Sequence, residues 1–465
     1  MTNQDRRGVA TSAADQTEID AVDDALELFL DYELSAGAAV KQVLGDHPGS
    51  VLATVVRGYM MLMLETVAVQ PKVAALAQAA LGESDHAVER ERLHLRALGQ
   101  WAAGDVRTAA STWDRLLAQD PLDLLALKMH HYTTFWTGRA NVLLATVESV
   151  LDAWDETTAG YDHVLGMYAF ALNETGRFEH AEEIGRRAVA ANAEDLWSVH
   201  AVAHALEMQG DLAGGDALFD VEPDQWATKN PFVGHMWWHA GLFAWSRGDY
   251  DRVLTLYDER LRPASTEFFL DLQNLSSLLT RLELAGVDVG HRWDELGDYA
   301  ADRIGDHVLT FTDVHCALTL LRTGRTEELT AFTTSLQAHR AAVSSDDATG
   351  PATVGLDVAI ELCHALELDA AGDPVAAAER LAAVRGDLGP IGGSHAQRDL
   401  FDLLLIDLVE RARDLDQALA LLRARARRWP RSAPTWHRYA AALAAAGRPG
   451  ESDDAARRAM EITGS

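Results

Sequence analysis

The sequence predicts an all-α protein built from repeated pairs of helices, and three observations lead to this prediction. Apolar residues recur at i, i+3, i+4 and i+7 in segment after segment, with Ala and Leu dominant. Proline is scarce, at 12 residues, and falls mostly between the periodic segments. A short sequence motif centred on Gly recurs between consecutive amphipathic segments. No stretch shows convincing strand alternation.

The recurring phrase sets the period of the repeat. It centres on nine glycines whose successive separations are 34, 38, 34, 38, 38, 38, 48 and 75 residues: Gly104, Gly138, Gly176, Gly210, Gly248, Gly286, Gly324, Gly372 and Gly447. A 34-residue helix–turn–helix period is that of tetratricopeptide repeats, in which the Gly ends the first helix. The longest gap predicts a degenerate repeat with Arg413 in the place of the glycine. Because one pair cannot bury its apolar face alone, we expect an α-solenoid that is strongly curved or closed.

Four segments are expected along the chain. Residues 1–19 form a polar leader that we predict to be disordered, and residues 20–103 form an N-terminal helical region with degenerate repeats. Residues 104–343 hold the core repeats, and residues 344–465 hold C-terminal helical repeats and a cap. The longest loop is expected at residues 344–350, which are rich in turn-forming and polar residues.

Charge and composition exclude several classes of partner. Asp plus Glu is 71 and Lys plus Arg is 40, which gives a net charge of −31. This argues against nucleic acid and membrane surfaces, since both reward clustered Lys and Arg. Two cysteines, Cys316 and Cys363, are too few for a disulfide framework. With no apolar segment of a secretory signal at the N-terminus, we expect an acidic cytoplasmic protein, monomeric or dimeric.

The candidate site lies on the first helices of two adjacent repeats. In a tetratricopeptide repeat, the groove is lined by one face of the first helix, in a stripe that ends one turn before the glycine. Before Gly210 this stripe carries two histidines at i, i+4 between an aromatic ring and a carboxylate, and the next repeat carries a second such histidine pair next to a tryptophan. The residues of this stripe are Trp197, His200, His204, Glu207, His235, Trp238 and His239.

Three interpretations of these residues stay open. Paired histidines suit a divalent metal, held by His200, His204 and His239, with Glu207 as a ligand or as a base. Without a metal, His200, His204, Glu207 and His239 suit acid/base catalysis, because an imidazole titrates near neutral pH. The third interpretation is that the histidines only line the groove or pack. The cofactor is therefore either none or one divalent metal ion, and HxxxH alone is a weak motif.

Other polar residues stand out in apolar segments and are predicted to contact a ligand. These are His131, Asp313 and His315, together with Arg398 and Asp399 in IGGSHAQRDLF. Each is more often a satisfied buried group than a binding residue when it is taken alone. Arg398 with Asp399 predicts an inward ion pair, an anchor for a ligand carboxylate, or a structural clasp.

Several phrases resemble the tetratricopeptide repeat protein 38 family, over about residues 24–422. The most specific are LWSVHAVAHALEMQG, WWHAGLFAWSRGDYDRVLTLYD, FTDVHCALTLL and IGGSHAQRDLFDLLLI. The resemblance implies the repeat fold and a cytoplasmic location, and it implies little about a reaction. Carried over by position, the family-like residues are His94, His131, Trp197, His200, His204, Glu207, Trp238, His239, Asp313, His315, Gln397, Arg398 and Asp399.

The sequence therefore predicts a helical-repeat protein whose interior pocket is lined by His, Trp and acidic residues and binds a small molecule. Whether the pocket also performs hydrolytic or acid/base catalysis is left open. Because carboxylates and Trp faces attract cations, the ligand is expected to be partly apolar and to carry an amine. The alternative is a scaffold that binds a protein or peptide in its concave groove.

Overall fold

The structure is a computed structural model that describes residues 3–83, 85–222, 224–263, 268–343 and 351–464. Helices dominate it, so the predicted all-α fold of tetratricopeptide type is confirmed. The chain divides into two compact units, one formed by residues 1–205 with 222–233 and the other by residues 206–221 with 234–465.

The first unit begins with a short hairpin and continues as a run of helices that pack on their neighbours in the sequence. Its hairpin joins β1 (Asn3–Gln4) to β2 (Ala10–Thr11). Its helices are α1 (Gln16–Leu30), α2 (Ala36–Asp46), α3 (Val51–Leu62), α4 (Gln70–Glu83), α5 (Glu89–Ala102), α6 (Val106–Gln119), α7 (Leu124–Trp136), α8 (Ala140–Val150), α9 (Tyr161–Glu174) and α10 (Phe178–Ala191).

The division between the units falls within α11 (Leu196–Gln209), and α13 (Phe232–Arg247) begins in the first unit. The other helices belong to the second unit. They are α12 (Leu212–Leu218), α14 (Tyr250–Leu256), α15 (Phe269–Leu284), α16 (Asp294–Asp302), α17 (Thr310–Arg322), α18 (Thr326–Ala342), α19 (Pro351–Ala370), α20 (Pro374–Val384), α21 (His395–Arg411), α22 (Leu415–Arg428), α23 (Ala433–Ala445) and α24 (Pro449–Thr463).

The turn glycines confirm the repeat pattern. All nine have positive φ, between 66° at Gly138 and 83° at Gly248. This left-handed conformation ends a helix and costs glycine nothing, because glycine has no Cβ. The degenerate repeat is also confirmed: α21 ends at Arg411, α22 begins at Leu415, and Arg413 between them has φ 61°.

The second helix of many pairs begins at an aspartate that directly follows the turn. In these helices the Asp side chain accepts a hydrogen bond from the backbone N–H three residues later, which satisfies one of the free donors at the helix start. The aspartates that do this are Asp105 for α6, Asp211 for α12, Asp249 for α14, Asp373 for α20 and Asp414 for α22. Gly followed by Asp therefore marks the junction between the two helices.

The predicted disorder of residues 1–19 differs from the structure, in which the N-terminal hairpin is tied to the helices by buried charges. Arg90 on α5 donates to Asp5 at 2.9 Å and to Asp123 at 2.7 Å. Thr11 donates to Glu91 at 3.0 Å, and α1 begins at Gln16. Composition predicts disorder here because the segment is polar, whereas its charges are paired within the fold.

The other expected boundaries stay predictions. The boundaries at residues 103 and 343 concern the regularity of the repeats, which the division into compact units does not measure, and the curvature of the solenoid also stays a prediction. The expected loop at residues 344–350 lies outside the described residues. Among the helices that the structure describes, none is long and apolar enough to cross a bilayer.

Candidate functional site

Helix α11 brings its predicted residues onto one buried face. Trp197, His200 and His204 are 7%, 3% and 1% exposed, and they lie at i, i+3 and i+7. The Nε2 atoms of His200 and His204 are 2.9 Å apart, so the two imidazoles form a hydrogen-bonded pair. Phe170 on α9 stacks on His200, with 5.3 Å between the ring centroids. The predicted pairing at i, i+4 is therefore present in the first unit.

A lysine that the sequence analysis missed lies beside this face. Lys128 on α7 is 4% exposed, and its Nζ is 4.5 Å from the ring centroid of Trp197 and 4.9 Å from that of Tyr32. The ammonium donates a hydrogen bond to the Tyr32 hydroxyl at 3.1 Å. Burial lowers the pKa of Lys128 to about 8, while Asp195 opposes this shift. The cation on the Trp197 face therefore belongs to the protein itself, which removes the main reason to expect an amine ligand here.

His131, a predicted ligand-binding residue, lies one turn after Lys128 and is 2% exposed. Its ring contacts Trp197 and Phe170 edge to face, at centroid distances of 5.6 and 5.7 Å. Among the described residues, neither of its ring nitrogens has a hydrogen-bond partner. Burial, followed by the charges of Lys128 and His130, lowers the pKa of His131 well below its ordinary value, so the imidazole is neutral.

The second unit pairs two of the predicted catalytic residues. His239 Nδ1 lies 3.1 Å from Glu207 Oε2. Burial raises the pKa of Glu207 to about 8, with Arg281 opposing the shift and Asp399 adding to it. Burial also lowers the pKa of His239 to about 3. At neutral pH the pair is therefore a carboxylic acid beside a neutral imidazole, which can pass a proton without a net charge.

Arg281 on α15 is the second residue that the sequence analysis missed. It is 1% exposed and donates to the backbone carbonyl of Ala396 at 2.9 Å and to that of Ser277 at 3.3 Å. Among the described residues, no carboxylate lies within ion-pair distance of its guanidinium. Burial lowers the pKa of Arg281 to about 10, so the side chain keeps its charge at neutral pH. A buried arginine without an ion pair is unusual, and its charge suits the binding of an anion.

These groups line one pocket of the second unit, with a cavity volume of about 10 Å³. The pocket combines the neutral acid, the unpaired arginine, an ion pair and two indole rings. The residues that provide these groups are Glu207, Arg281, Asp399, Arg425, Trp245 and Trp429. The indole N–H of Trp429 has no hydrogen-bond partner among the described residues.

Arg398 and Asp399 contact different parts of the chain. Arg398 turns back on its own loop and donates to the carbonyls of Gly392 and Gly393. Asp399 instead accepts two hydrogen bonds from Arg425 on α22, one of them at 2.7 Å. These contacts of Arg398 favour the structural clasp among its predicted roles. The arginine that lines the pocket as a possible anchor for a carboxylate is Arg281.

His235 and Trp238 pack together behind the pocket. Their rings stack with 5.0 Å between centroids, and His235 Nδ1 lies 2.8 Å from Asn274 Oδ1. Burial lowers the pKa of His235 to about 3. Trp238 donates to the Ser277 hydroxyl at 3.3 Å, and this hydroxyl also accepts from Arg281. Trp238 therefore helps to position Arg281, and neither Trp238 nor His235 lines the pocket.

Asp313 and His315 on α17 are both 1% exposed and outside the pocket. Asp313 Oδ1 lies 3.0 Å from His307 Nδ1, and His315 Nδ1 donates to the Phe311 carbonyl at 2.8 Å. Burial raises the pKa of Asp313 to about 6 and lowers that of His315 to about 4. Each therefore has a partner within the chain, as expected of a satisfied buried group and not of a ligand-binding residue.

The predicted metal site that combines His200, His204 and His239 draws on both units, and it stays a prediction. Elemental analysis of the protein without a histidine tag tests it directly. Metal lost in the double variant His200→Ala, His204→Ala would establish it.

Within the first unit, His163 lies between two carboxylates in a geometry that also suits a metal. Its ring nitrogens are 3.3 Å from Asp195 and 3.7 Å from Asp31. Burial opposes the charge on His163, yet Asp195, Asp162 and Asp31 raise its pKa above the ordinary value. The three carboxylates favour the protonated imidazole, which forms ion pairs with them. This favours an ion-pair cluster that ties the end of α1 to the starts of α9 and α11.

No protein-family model matches the chain. Among solved structures, the chain is similar to a monomeric mutant of IFIT1 with Gppp-AAAA, at 12% identity and a TM-score of 0.40, covering 97% of this chain and 96% of that one. It is also similar to the APC/C hetero-tetramer Cut9–Hcn1, at 11% identity and a TM-score of 0.37, covering 97% of this chain and 94% of that one.

Proposed function

We propose that this helical-repeat protein binds a small carboxylate in the pocket of the second unit that contains Arg281. The buried guanidinium of Arg281, which has no ion-pair partner among the described residues, is the single observation that carries the proposal. A carboxylate would neutralise it through paired N–H donors, a geometry for which arginine is suited.

The charges of the pocket favour an anion. Asp399 and Arg425 neutralise each other, and Glu207 is uncharged at neutral pH because burial raises its pKa to about 8. Arg281 therefore leaves the pocket with one net positive charge. Placing an anion there removes the cost of a buried, uncompensated charge.

The hydrogen-bonding groups favour a ligand that offers acceptors. The Trp429 indole N–H can only donate, and the Glu207 carboxyl can donate its proton. Trp245 and Leu242 add apolar walls, which suit a ligand with a short apolar part. The cavity volume of about 10 Å³ is room for about one water-sized group. A bound ligand would therefore be very small, and the side chains around the pocket would move apart to admit it.

The pair of Glu207 and His239 extends the proposal to acid/base chemistry. Glu207 lies on the pocket wall and is protonated at neutral pH, so it would act as the general acid toward a bound ligand. His239 contacts Glu207 and would accept or return its proton. Turnover of the ligand is the finer part of the proposal, and binding does not depend on it.

Calorimetric titration with acetate and acetamide tests the binding proposal, since the two differ in charge but hardly in shape. We expect acetate to bind at least tenfold more tightly than acetamide. Arg281→Met should abolish this preference, whereas Arg252→Met, at an exposed arginine paired with Asp216, should preserve it. If Arg281→Met does not fold, Trp429→Phe, which removes only the N–H donor, should weaken acetate binding. Equal binding of the two compounds, or an unchanged preference in these variants, would contradict the proposal.

The alternative is a scaffold that binds a protein or peptide in its concave groove. It predicts no discrimination between acetate and acetamide, so the same titration separates the two functions. We further propose that the protein belongs to the tetratricopeptide repeat protein 38 family, which its phrases resemble, and acts in a reducing cytoplasm. Cys316 and Cys363 support the compartment, because both are buried free thiols.

A further inference from the structure

Lysine is rare in this chain, and one lysine differs from the others. The sequence has four: Lys41, Lys72, Lys128 and Lys229. Lys41 and Lys72 are exposed. Lys229 is buried, but it is paired with Glu33 at 2.6 Å and with Glu194 at 3.1 Å. Lys128 is buried and, among the described residues, has no carboxylate within ion-pair distance.

Aromatic rings take the place of a counterion around Lys128. Its Nζ lies over the rings of Trp197 and Tyr32, and the Tyr32 hydroxyl accepts its hydrogen bond. Tyr32 itself has φ 61°, a left-handed conformation that is strained for a bulky side chain. The fold therefore holds Tyr32 against Lys128 at a cost in backbone strain.

Unpartnered polar atoms converge on the same place. Among the described residues, neither ring nitrogen of His131 has a hydrogen-bond partner, and the Trp197 indole N–H has no acceptor. His131 and Lys128 lie one turn apart on α7, and both contact Trp197. Buried polar atoms without partners are rare in folded proteins and point to a group that the chain itself does not supply.

We propose that Lys128 is a nucleophilic amine that forms an imine with a small apolar aldehyde or ketone inside the first unit. The Nζ lone pair attacks the carbonyl carbon to give a carbinolamine. This intermediate then loses water: the carbonyl oxygen leaves with both hydrogens of the amine, and a C=N bond forms. No oxidant or reductant is needed.

Each neighbour of Lys128 has a role in this step. His131, a neutral imidazole one turn away, would move protons between the amine and the departing oxygen, as general acid/base catalysis requires. The rings of Trp197, Phe170 and Tyr32 would select an apolar substituent. Burial, which lowers the pKa of Lys128 to about 8, leaves part of the amine neutral at physiological pH, and an amine must be neutral to attack.

The charged and titratable groups around Lys128 are few. Asp195 at the start of α11 raises the pKa of Lys128, and Tyr32 after α1 shares its hydrogen bond. His131 on its own helix is neutral. The inference is independent of the proposed carboxylate pocket, because all of these residues belong to the first unit and Arg281 belongs to the second.

Reductive labelling of the folded full-length protein tests the inference. Acetaldehyde, chosen because it can enter a packed interior, is added with sodium cyanoborohydride at pH 7, which converts each imine into an ethyl-lysine. Peptide mapping by mass spectrometry then follows the four lysines separately. We expect Lys128 to be ethylated at least tenfold faster than the exposed Lys41 and Lys72, and the ion-paired Lys229 to be the slowest. The rate at Lys128 should also rise with a midpoint near pH 8.

Variants separate a reactive site from an accessible one. Lys128→Met should remove the fast adduct, and Lys229→Met should leave it unchanged. His131→Asn should slow ethylation of Lys128 but leave the pH midpoint, because His131 is neutral throughout. If Lys128 in the wild-type protein reacts no faster than Lys41 and Lys72, or remains unmodified while they react, the inference is wrong. This comparison needs no variant and holds even if Lys128→Met fails to fold.

Discussion

At the scale of single residues, two buried ionisable groups have pKa values that burial shifts toward neutral pH, one upward and one downward. Burial raises the pKa of Glu207 to about 8 and lowers that of Lys128 to about 8. The physical cause is the same, since a low-dielectric interior disfavours whichever form is charged. The two groups must therefore affect stability with opposite dependence on pH.

Glu207→Gln should flatten the pH dependence of stability on the acidic side. The folded carboxyl keeps its proton up to about pH 8, whereas the unfolded one loses it near the ordinary value of 4.5. The folded state therefore binds more protons between these values, and the wild-type free energy of unfolding falls as pH rises from about 4.5 to 8, by up to ~5 kcal/mol. Urea unfolding at pH 5, 6.5 and 8 measures this. Asp313→Asn is the matched control, because its raised pKa of about 6 confines its effect to lower pH. A parallel decline in the wild type and in Glu207→Gln would contradict the prediction.

Lys128→Met should show the opposite sign. The folded ammonium loses its proton near pH 8 and the unfolded one near 10.5, so the wild type gains stability as pH rises through this window, by up to ~3 kcal/mol. The variant lacks this gain and should be more stable than the wild type at pH 7, because it no longer buries an unpaired charge. Thermal unfolding at pH 7 and 9.5 gives both comparisons. Lys229→Met, which removes a paired lysine, should lower stability at pH 7; a loss of the same size in both variants would be inconsistent with this account.

At the scale of elements, the sequence pattern at the junction between the two helices of a pair is a Gly followed by a helix-capping residue. The nine turn glycines all adopt positive φ, and five second helices begin at an aspartate cap. The junction between α21 and α22 keeps the cap at Asp414 but has Arg413 in the place of the glycine. Geometry is thus preserved where the sequence departs from the pattern, with strain as the consequence.

Arg413→Gly should stabilise the protein by about 0.5–1 kcal/mol. The substitution removes the Cβ that crowds the left-handed backbone, and the greater freedom of glycine in the unfolded chain offsets part of the gain. Arg413 is exposed, so few contacts are lost. Guanidinium unfolding measures the difference. Gly176→Ala is the reciprocal control: no atom lies within 4 Å of the added Cβ, so its expected loss of stability comes from the backbone alone. A destabilised Arg413→Gly would refute the strain argument.

The N-terminal hairpin depends on one buried carboxylate. Asp5 accepts hydrogen bonds from Arg90 and from the backbone N–H groups of Arg7 and Val9. Asp5→Ala leaves the buried Arg90 with Asp123 alone, so we expect a loss of about 3 kcal/mol and a faster amide exchange of residues 3–11. Asp46→Ala, at an exposed residue of α2, should change little. Unaltered exchange in Asp5→Ala would show that the hairpin is held by other contacts.

At the scale of the whole molecule, the net charge of −31 dominates the electrostatics. Most ion pairs on the surface join exposed side chains and contribute about 0–1 kcal/mol each. Repulsion among the 71 carboxylates, many of them exposed, outweighs this attraction at low ionic strength. The same repulsion should keep the protein a monomer or dimer.

The melting temperature should therefore rise by several degrees between 10 mM and 300 mM sodium chloride, because salt screens repulsion beyond roughly 10 Å. Differential scanning calorimetry measures the change, and light scattering in the same buffers checks that the oligomeric state is constant. Sucrose, which adds no ions, separates screening from preferential exclusion. A melting temperature that falls with salt would mean that the surface ion pairs outweigh the repulsion.

The sequence by itself determined the helices, their junctions and the residues of α11, because these depend on patterns shorter than one helix pair. The periodicity places Trp197, His200 and His204 on one face, and the glycine spacing predicts even the irregular junction at Arg413. It also indicated Glu207 and His239, which lie on two adjacent first helices.

Only the tertiary structure decided which charged groups matter in the interior. Arg281 donates to Ala396, 115 residues away in the sequence, and Lys128 donates to Tyr32, 96 residues away. The carboxylate of Asp399 forms an ion pair with Arg425, 26 residues away in the sequence. A side chain's burial and partners are set by elements distant along the chain, and both its charge state and its pKa follow from them. Local periodicity therefore cannot distinguish a buried lysine or arginine from a solvated one.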